Sequence, residues 1–368
     1  MTNKIDLYYV HLFNDFSGSP RVLRDAIDSE ICEADNTFVF TSHHQGFLDG
    51  VNAKRVNSFY ARSNNRYIQL CYFLLSQVVL FTLLGSYLLV GLCQGRKSTI
   101  VINTMLPFGA GLIAKIMQAR VVYYVHETFI KPDLLKKILR FFIEHCATHV
   151  IFVSKYLQAQ ESFNKPSQQV IYNGLRSDFP VITEIDKEAK FAGKTLFFAG
   201  SLKAYKGIEQ LVLLAEHLPE FKVVAALNCQ ESELSQYLTV ETAPENIRFV
   251  ARPANIQQYF KASFAVLNLS LPDAWIETFG LSLIEGMAYG SPVISPPVGG
   301  PTEFVNHRNG SQIDARDTTS LVAFIRQLNS SISVWNSYSE QASISAKRFT
   351  AQEYQKSVRD FFTQHNLA

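Results

Sequence analysis

The chain has 368 residues, about two domains' worth at ~150 residues each. Lys and Arg number 34 against 32 Asp and Glu, a formal charge of +2. That balance argues against a protein held on nucleic acid by phosphate contacts. Apolar residues make up 47%, which excludes a disordered chain and supplies two buried cores. Charged residues are only 18%, below the usual ~25%, so part of the surface is expected to be apolar. Cys32, Cys71, Cys93, Cys146 and Cys229 are scattered without a C-x-x-C pair. Neither a disulfide scaffold nor a structural zinc cage is expected, and a reducing compartment fits. No basic stretch followed by an apolar run opens the chain, so no cleaved secretory signal is expected.

Short apolar runs alternate with helical stretches. Residues 5–10, 37–40, 99–103, 120–126 and 149–153 read as buried strands rich in Val, Ile, Tyr and Phe. A second series follows at 195–199, 222–226, 247–250, 265–269 and 292–295. Such alternation predicts parallel sheets with crossover helices, and two series predict two doubly wound α/β domains. The boundary is expected within 177–194, where Pro180 precedes Glu184, Asp186, Lys187, Glu188 and Lys190. This divides the chain into 1–178 and 179–350, with a final helix over 351–368.

Residues 67–95 contain neither a charge nor a histidine. As a helix, the apolar core of this stretch would span roughly 35 Å, enough to cross a bilayer. Three readings are open. A true span would separate the first two strands from the third. A helix buried in the domain is the ordinary alternative. A helix lying in the membrane interface is the third, and Arg62, Arg66, Arg96 and Lys97 at its ends suit anionic lipid. Lys136, Lys137 and Arg140, interleaved with Leu134, Leu135, Ile138, Leu139, Phe141 and Phe142, point the same way. They also fit an ordinary amphipathic surface helix.

The strongest chemical signal is Glu277-Thr-Phe279-Gly280-Leu281-Ser-Leu-Ile-Glu285. Gly280 would let backbone N–H groups approach an anion at a helix start, where the helix dipole favours phosphate. If both carboxylates were helical, they would stand ~12 Å apart along the axis. That is about the distance from a sugar, across a diphosphate, to a ribose. Carboxylates accept paired hydrogen bonds from vicinal hydroxyls. Two solvent-facing glutamates on an ordinary helix are the plain alternative. Upstream, Phe-Ala-Gly200-Ser201-Leu-Lys203-Ala-Tyr-Lys206-Gly207 ends a strand and leads into a helix. The carboxyl end of a parallel strand is where α/β sheets bind ligands. Lys206 would there neutralise a departing diphosphate. In the first half, Ser17-Gly18-Ser19-Pro20-Arg21 follows the first strand, with Ser19 as a plausible N-cap and Pro20 as the first helical residue.

Together these motifs resemble the retaining glycosyltransferases of family four. The resemblance covers nearly the whole chain, and Glu-x7-Glu is its most specific block. It implies a GT-B fold, two Rossmann-like domains facing a central cleft, with the last helix packed back on the first domain. It implies a nucleotide-diphosphate sugar as co-substrate, bound by the second domain, with no other cofactor and no metal. Glu277 would take the donor sugar, Glu285 the ribose and Lys206 the diphosphate. Gly200, Ser201, Lys203, Phe279, Gly280 and Leu281 would complete the donor site. Ser17, Gly18 and Arg21 would form the loop facing acceptor and phosphates. His126, ending a strand, would lie near the transferred sugar, giving a catalytic set of His126, Glu277 and Lys206. Ile171-Tyr-Asn173-Gly174 and Gly299-Gly300-Pro-Thr-Glu303 resemble two further loops of the family. The family usually has Arg where this chain has Ser201, and Lys203 would supply the second charge. The apolar segment suggests a glycan or lipid-linked acceptor, hence lipopolysaccharide O-antigen or capsule synthesis. It suggests a cytoplasmic enzyme peripheral on the inner membrane.

Rival readings have their own features. Asp-x-Asp is absent from the chain, which disfavours a metal-dependent transferase of the other main fold. Gly109-x-Gly111-x-x-Ala114, with Glu127 ending the next strand, outlines a dinucleotide site and hence an NAD-dependent oxidoreductase. The glycines do not follow their strand directly, however. A GT-B nucleotide-sugar epimerase would use the same donor groups. Ser201 also leaves room for a non-catalytic, membrane-docked scaffold.

Overall fold

The computed structural model describes residues 5–31, 36–180, 184–240 and 243–368, with the backbone alone for 239 and 240. Residues 181–183 of the expected linker lie outside the described residues. The chain divides into two compact units, Met1–Ser177 with Ala351–Ala368, and Asp178–Thr350.

The first unit is built on seven parallel strands: β1 Ile5–Val10, β2 Thr37–Thr41, β3 Lys54–Asn57, β4 Lys97–Asn103, β5 Arg120–Val125, β6 His149–Phe152 and β7 Ser167–Val170. Their order is β3-β2-β1-β4-β5-β6-β7. The second unit has six: β8 Thr195–Gly200, β9 Lys222–Leu227, β10 Ile247–Ala251, β11 Ala265–Leu267, β12 Val293–Ser295 and β13 Gly310–Gln312. Their order is β10-β9-β8-β11-β12-β13, again parallel. Parallel strands covered on both faces read as continuous apolar runs, and the central strands of both sheets do. The strands absent from the sequence reading, β3 (KRVN), β7 (SQQV) and β13 (GSQ), are all edge strands. An edge needs less burial and favours polar residues, so its sequence carries no apolar run.

Helix α1, Gly18–Ile27, starts one residue after its N-cap Ser17. The expected cap at Ser19 is therefore displaced by two residues, and Pro20 falls at the third helical position. Proline is tolerated there because N–H groups of the first turn lack helical partners anyway. Helix α2, Arg66–Cys93, is capped by Asn65, whose Oδ1 accepts from the N–H groups of Tyr67 (2.9 Å) and Ile68 (3.3 Å). It carries the chain from β3 to β4, two strands of one sheet. That sheet is incompatible with the spanning reading. The wholly buried reading fails as well. Phe73, Gln77, Leu80, Leu84, Leu88 and Gly91 form a buried stripe, while Leu70, Leu74, Leu75, Val78, Leu89 and Val90 are exposed.

Helices α3, Phe108–Ile116, and α4, Asp133–Cys146, follow in the same unit. A Cβ on Gly109 would lie 2.4 Å from the Gln77 carbonyl oxygen, and one on Gly111 would lie 2.3 Å from the Tyr123 hydroxyl. The Gly109 N–H donates to Gln77 Oε1 at 3.0 Å. These glycines admit α2 and β5 to close contact with α3. They do not open a phosphate loop, and the dinucleotide reading loses its motif. Glu127 is equally committed, since its carboxylate accepts from the N–H groups of Met105 (3.0 Å) and His126 (3.1 Å). On α4, Leu134, Ile138 and Phe141 are exposed at helical spacing, but Lys136 and Arg140 both pair with buried Glu161. This face is thus less basic than its sequence suggests.

In the second unit, helix α5, Lys187–Gly193, occupies what the sequence suggested was linker. Lys190 is only 2% exposed. Its Nζ donates to the carbonyls of Phe260 (2.9 Å) and Lys261 (3.3 Å) and to Ser291 Oγ (3.0 Å). Burial lowers its pKa to about 7. The unfolded chain then holds a proton on this amine between about pH 7 and ~10.4 that the fold disfavours, so stability rises with pH across that window. Lys190→Met should abolish this rise, as followed by urea unfolding at pH 7 and pH 9.5.

Candidate functional site

Both sheets reverse their strand order between the first strand and the fourth of the unit, at β1/β4 and at β8/β11. Side chains at the carboxyl ends of such strand pairs face the crevice where α/β sheets bind ligands. The candidate residues gather at these two places.

In the second unit, β8 ends at Gly200 and a single 3-10 turn, Ala204–Lys206, follows. Gly207 closes it with φ +81°, and a Cβ there would fall 2.1 Å from the Leu269 carbonyl oxygen. Only glycine lets this turn lie against the exit of β11. Helix α6, Ile208–His217, begins immediately afterwards. Lys206 is thereby held beside β11. Its Nζ donates to Glu277 Oε2 at 2.8 Å, and Asn268, the residue after β11, donates to the same oxygen at 3.2 Å. Each partner of the ion pair retains only 18% of its side-chain exposure. Burial pushes the Glu277 carboxyl up, but Lys206, Asn268 and a backbone hydrogen bond at Phe279 together hold it below the usual carboxylate range. Glu277 is therefore an ionised acceptor at neutral pH.

Helix α7, Leu281–Ala288, starts just beyond, with Gly280 as its N-cap at φ +98°. Glu277 precedes the helix, so the expected axial spacing between two helical carboxylates does not apply. Glu285 lies within α7 and is half-buried, and Phe279 is buried. The Gly299-Gly300 loop packs on the same segment, with the Gly300 N–H donating to the Glu277 carbonyl at 2.9 Å. Ser201 is half-buried and Lys203 is exposed. Three participants escaped the sequence reading. Asn268 was counted as strand interior. Tyr205 and Trp275 stack at 5.2 Å, and Lys206 Nζ lies 5.4 Å from the Trp275 ring centre.

In the first unit, His126 follows β5 directly, as expected, and is half-buried. Its Nε2 lies 2.7 Å from Oδ1 of Asn103, the last residue of β4. Asn103 Nδ2 in turn reaches Nδ1 of His11, the residue after β1, at 3.0 Å. Burial lowers His126 to about 3 and His11 to about 4. His126 is thus a neutral hydrogen-bonding group and not a source of protons at neutral pH. Asn103 and His11 were not singled out by sequence, where each closes an apolar run. In the loop after β1, the Asp15 carboxylate accepts from the Ser17 N–H (3.0 Å) and hydroxyl (2.5 Å), and Gly18 is exposed. Arg21 is buried, with Nη2 3.0 Å from Asp25 Oδ1 and its guanidinium 5.4 Å from the Phe47 ring centre. The structure therefore places Arg21 within α1 packing and not with Ser17 and Gly18.

Residues 182–344, nearly the whole second unit, match the family model Glycosyl transferases group 1. An uncharacterised glycosyltransferase of Methanocaldococcus jannaschii is 27% identical over 193 residues, 47% of this chain and 48% of that protein. A probable sucrose-phosphate synthase of Vicia faba is 31% identical over 87 residues, 23% of this chain and 8% of that protein. These matches thus span about half of the first relative and a small part of the second. The HepE protein of Anabaena, solved in complex with UDP and glucose, superposes with a TM-score of 0.78 at 18% identity, covering 97% of this chain and 99% of that one. A sucrose-phosphate synthase of Thermosynechococcus elongatus superposes with a TM-score of 0.77 at 14% identity, covering 98% and 99%. The chain has the GT-B fold. Within this GT-B chain, the group 1 match falls on the unit that carries Lys206, Glu277 and α7.

The Lys206 turn depends on Gly207. Gly207→Ala should lower stability by about 1–3 kcal/mol or more in urea unfolding, through left-handed strain and collision with the Leu269 carbonyl.

Proposed function

We propose that the chain is a retaining glycosyltransferase. It moves a sugar from a nucleotide diphosphate to a hydroxyl of a glycan or lipid-linked glycan. The observation that carries this reading is the Lys206–Glu277 ion pair at the carboxyl ends of β8 and β11, beside the start of α7. An ionised carboxylate, a lysine and a helix N-terminus suit sugar hydroxyls and a diphosphate. The group 1 match over the same residues and the UDP and glucose held by HepE support a nucleotide-sugar donor.

In this reading Glu277 accepts hydrogen bonds from the donor sugar and Glu285 from the ribose. The backbone N–H groups opening α7 meet the diphosphate. Lys206 neutralises the charge that develops as the bond from anomeric carbon to diphosphate oxygen breaks. Lys203 supplies the second charge in place of the arginine absent at Ser201. The acceptor oxygen bonds to the anomeric carbon on the face the diphosphate leaves, and its proton passes to the departing diphosphate. His126 is assigned to the transferred sugar as a neutral group of the first unit, and the Ser17-Gly18 loop to the acceptor. These charges are all protein charges, so the reaction is assigned no metal.

Lipopolysaccharide O-antigen or capsule synthesis fits an enzyme resting on the cytoplasmic face of the inner membrane. The exposed stripes of α2 and α4 suit that placement. Arg96 pairs with Asp6, and Arg62 lies 3.6 Å from Asp15 and over the Phe13 ring, so apolar insertion is expected to outweigh charge attraction.

A thermal-shift panel of nucleotide sugars, followed by a transfer assay, tests the class. Glu277→Ala and Lys206→Ala should each lower kcat at least ~100-fold. The double variant should be little worse than either, because the two act as a unit. Glu285→Ala should act mainly on donor KM. Transfer that survives both single substitutions would refute the assigned roles. In co-sedimentation with anionic vesicles, Leu74→Glu with Val78→Glu should weaken binding at least ~10-fold, whereas 0.5 M salt should weaken it less.

A further inference from the structure

Asn103 makes three contacts at the carboxyl end of the β1/β4 pair, and their chemistry fixes which way its amide faces. Nδ2 lies 3.0 Å from the Ser19 carbonyl oxygen and 3.0 Å from His11 Nδ1, while Oδ1 lies 2.7 Å from His126 Nε2. A carbonyl oxygen only accepts, so the group facing Ser19 is the NH2. A flipped amide would set two oxygens against each other there. Oδ1 is therefore the atom facing His126, and an amide oxygen cannot donate. His126 Nε2 must carry the hydrogen.

We propose that Asn103 is a positioning residue that locks His126 as its Nε2–H tautomer, leaving Nδ1 as a bare acceptor for a ligand hydroxyl. The second amide hydrogen serves the same end. It points at His11 Nδ1, so His11 must present a lone pair there and carry its own hydrogen on Nε2. Two acceptors, Ser19 O and His11 Nδ1, thus hold one amide in one orientation. The burial that keeps both imidazoles neutral prevents a second ring proton from overriding the lock. Among the described residues, no protein group hydrogen-bonds to Nδ1 of His126, and the ring is only half-buried. The ring face is steadied by Tyr124, whose centroid lies 4.7 Å away. A lone pair in that position accepts from a hydroxyl and repels a carbonyl or phosphate oxygen. The position therefore selects for a hydroxyl-bearing ligand.

That the ligand hydroxyl belongs to a sugar rests on the function proposed above, but the tautomer does not. Long-range nitrogen–proton correlation spectra of the full chain, labelled at histidine nitrogen, read it directly at pH 7.5. The His126 signal, identified by its loss in His126→Gln, should show a protonated Nε2 and an unprotonated Nδ1. Asn103→Leu should shift His126 toward a tautomer mixture. A wild-type spectrum with hydrogen on Nδ1 would overturn the proposal without needing any Asn103 variant to fold. So would an unchanged tautomer in a folded Asn103→Leu protein. If the spectra agree but no nucleotide sugar is turned over, the donor reading falls and the lock stands.

Discussion

Lys206 and Glu277 stand 71 residues apart in sequence, and each depends on the other for its position. A lysine in a tight turn beside a sheet would ordinarily reach into water, because its stem is flexible and its hydration strong. A buried carboxylate would ordinarily be raised in pKa by the surrounding protein. Pairing removes both tendencies at once. Burial that would penalise either charge alone is offset because the other charge and the Asn268 amide stand within hydrogen-bonding distance. Much of the local backbone serves that contact. Gly207 lets the turn press on β11, and the Gly300 N–H ties down the Glu277 carbonyl.

The first unit solves a parallel problem with neutral groups. Its strand reversal also brings the residue after the first strand beside the end of the fourth, which juxtaposes His11 and Asn103. The next strand contributes His126. Here burial keeps the imidazoles uncharged, and order comes from matching donors to acceptors. One unit thus offers fixed charge and the other fixed hydrogen-bond polarity.

Sequence patterning revealed the central strands because parallel strands buried on both faces are necessarily apolar. It did not reveal β3, β7 and β13, whose edge positions relax that demand. The Glu277–Glu285 block and the Lys206 turn were legible because glycines, charges and a helix start fall at meaningful spacing. Asn268 and Asn103 were not, because an asparagine within or ending an apolar run carries no signal of its partner until its neighbour across the sheet is known. Lys190 was misread for the opposite reason. Among other charges it looks solvated, and only the fold shows two carbonyls and a hydroxyl gathered round it. Arg21 likewise looked like part of a phosphate loop, yet helical spacing places Asp25 one turn away to receive it.

The low charged fraction also acquires a location. In a parallel α/β unit a crossover helix need bury only one stripe, and α2 does bury one. Its opposite stripe is nevertheless apolar, although nothing in the sheet requires that. Charges on α4 that would have tempered a neighbouring apolar surface are drawn to Glu161 instead. Folding alone would be served as well by a polar outer stripe, which would also lower the risk of association. The cost in solubility is explained if that face meets a medium other than water. The lipid-linked acceptor proposed above is inferred from this same stripe, so a lipid surface and that acceptor rest on one observation, the apolar outer face of α2.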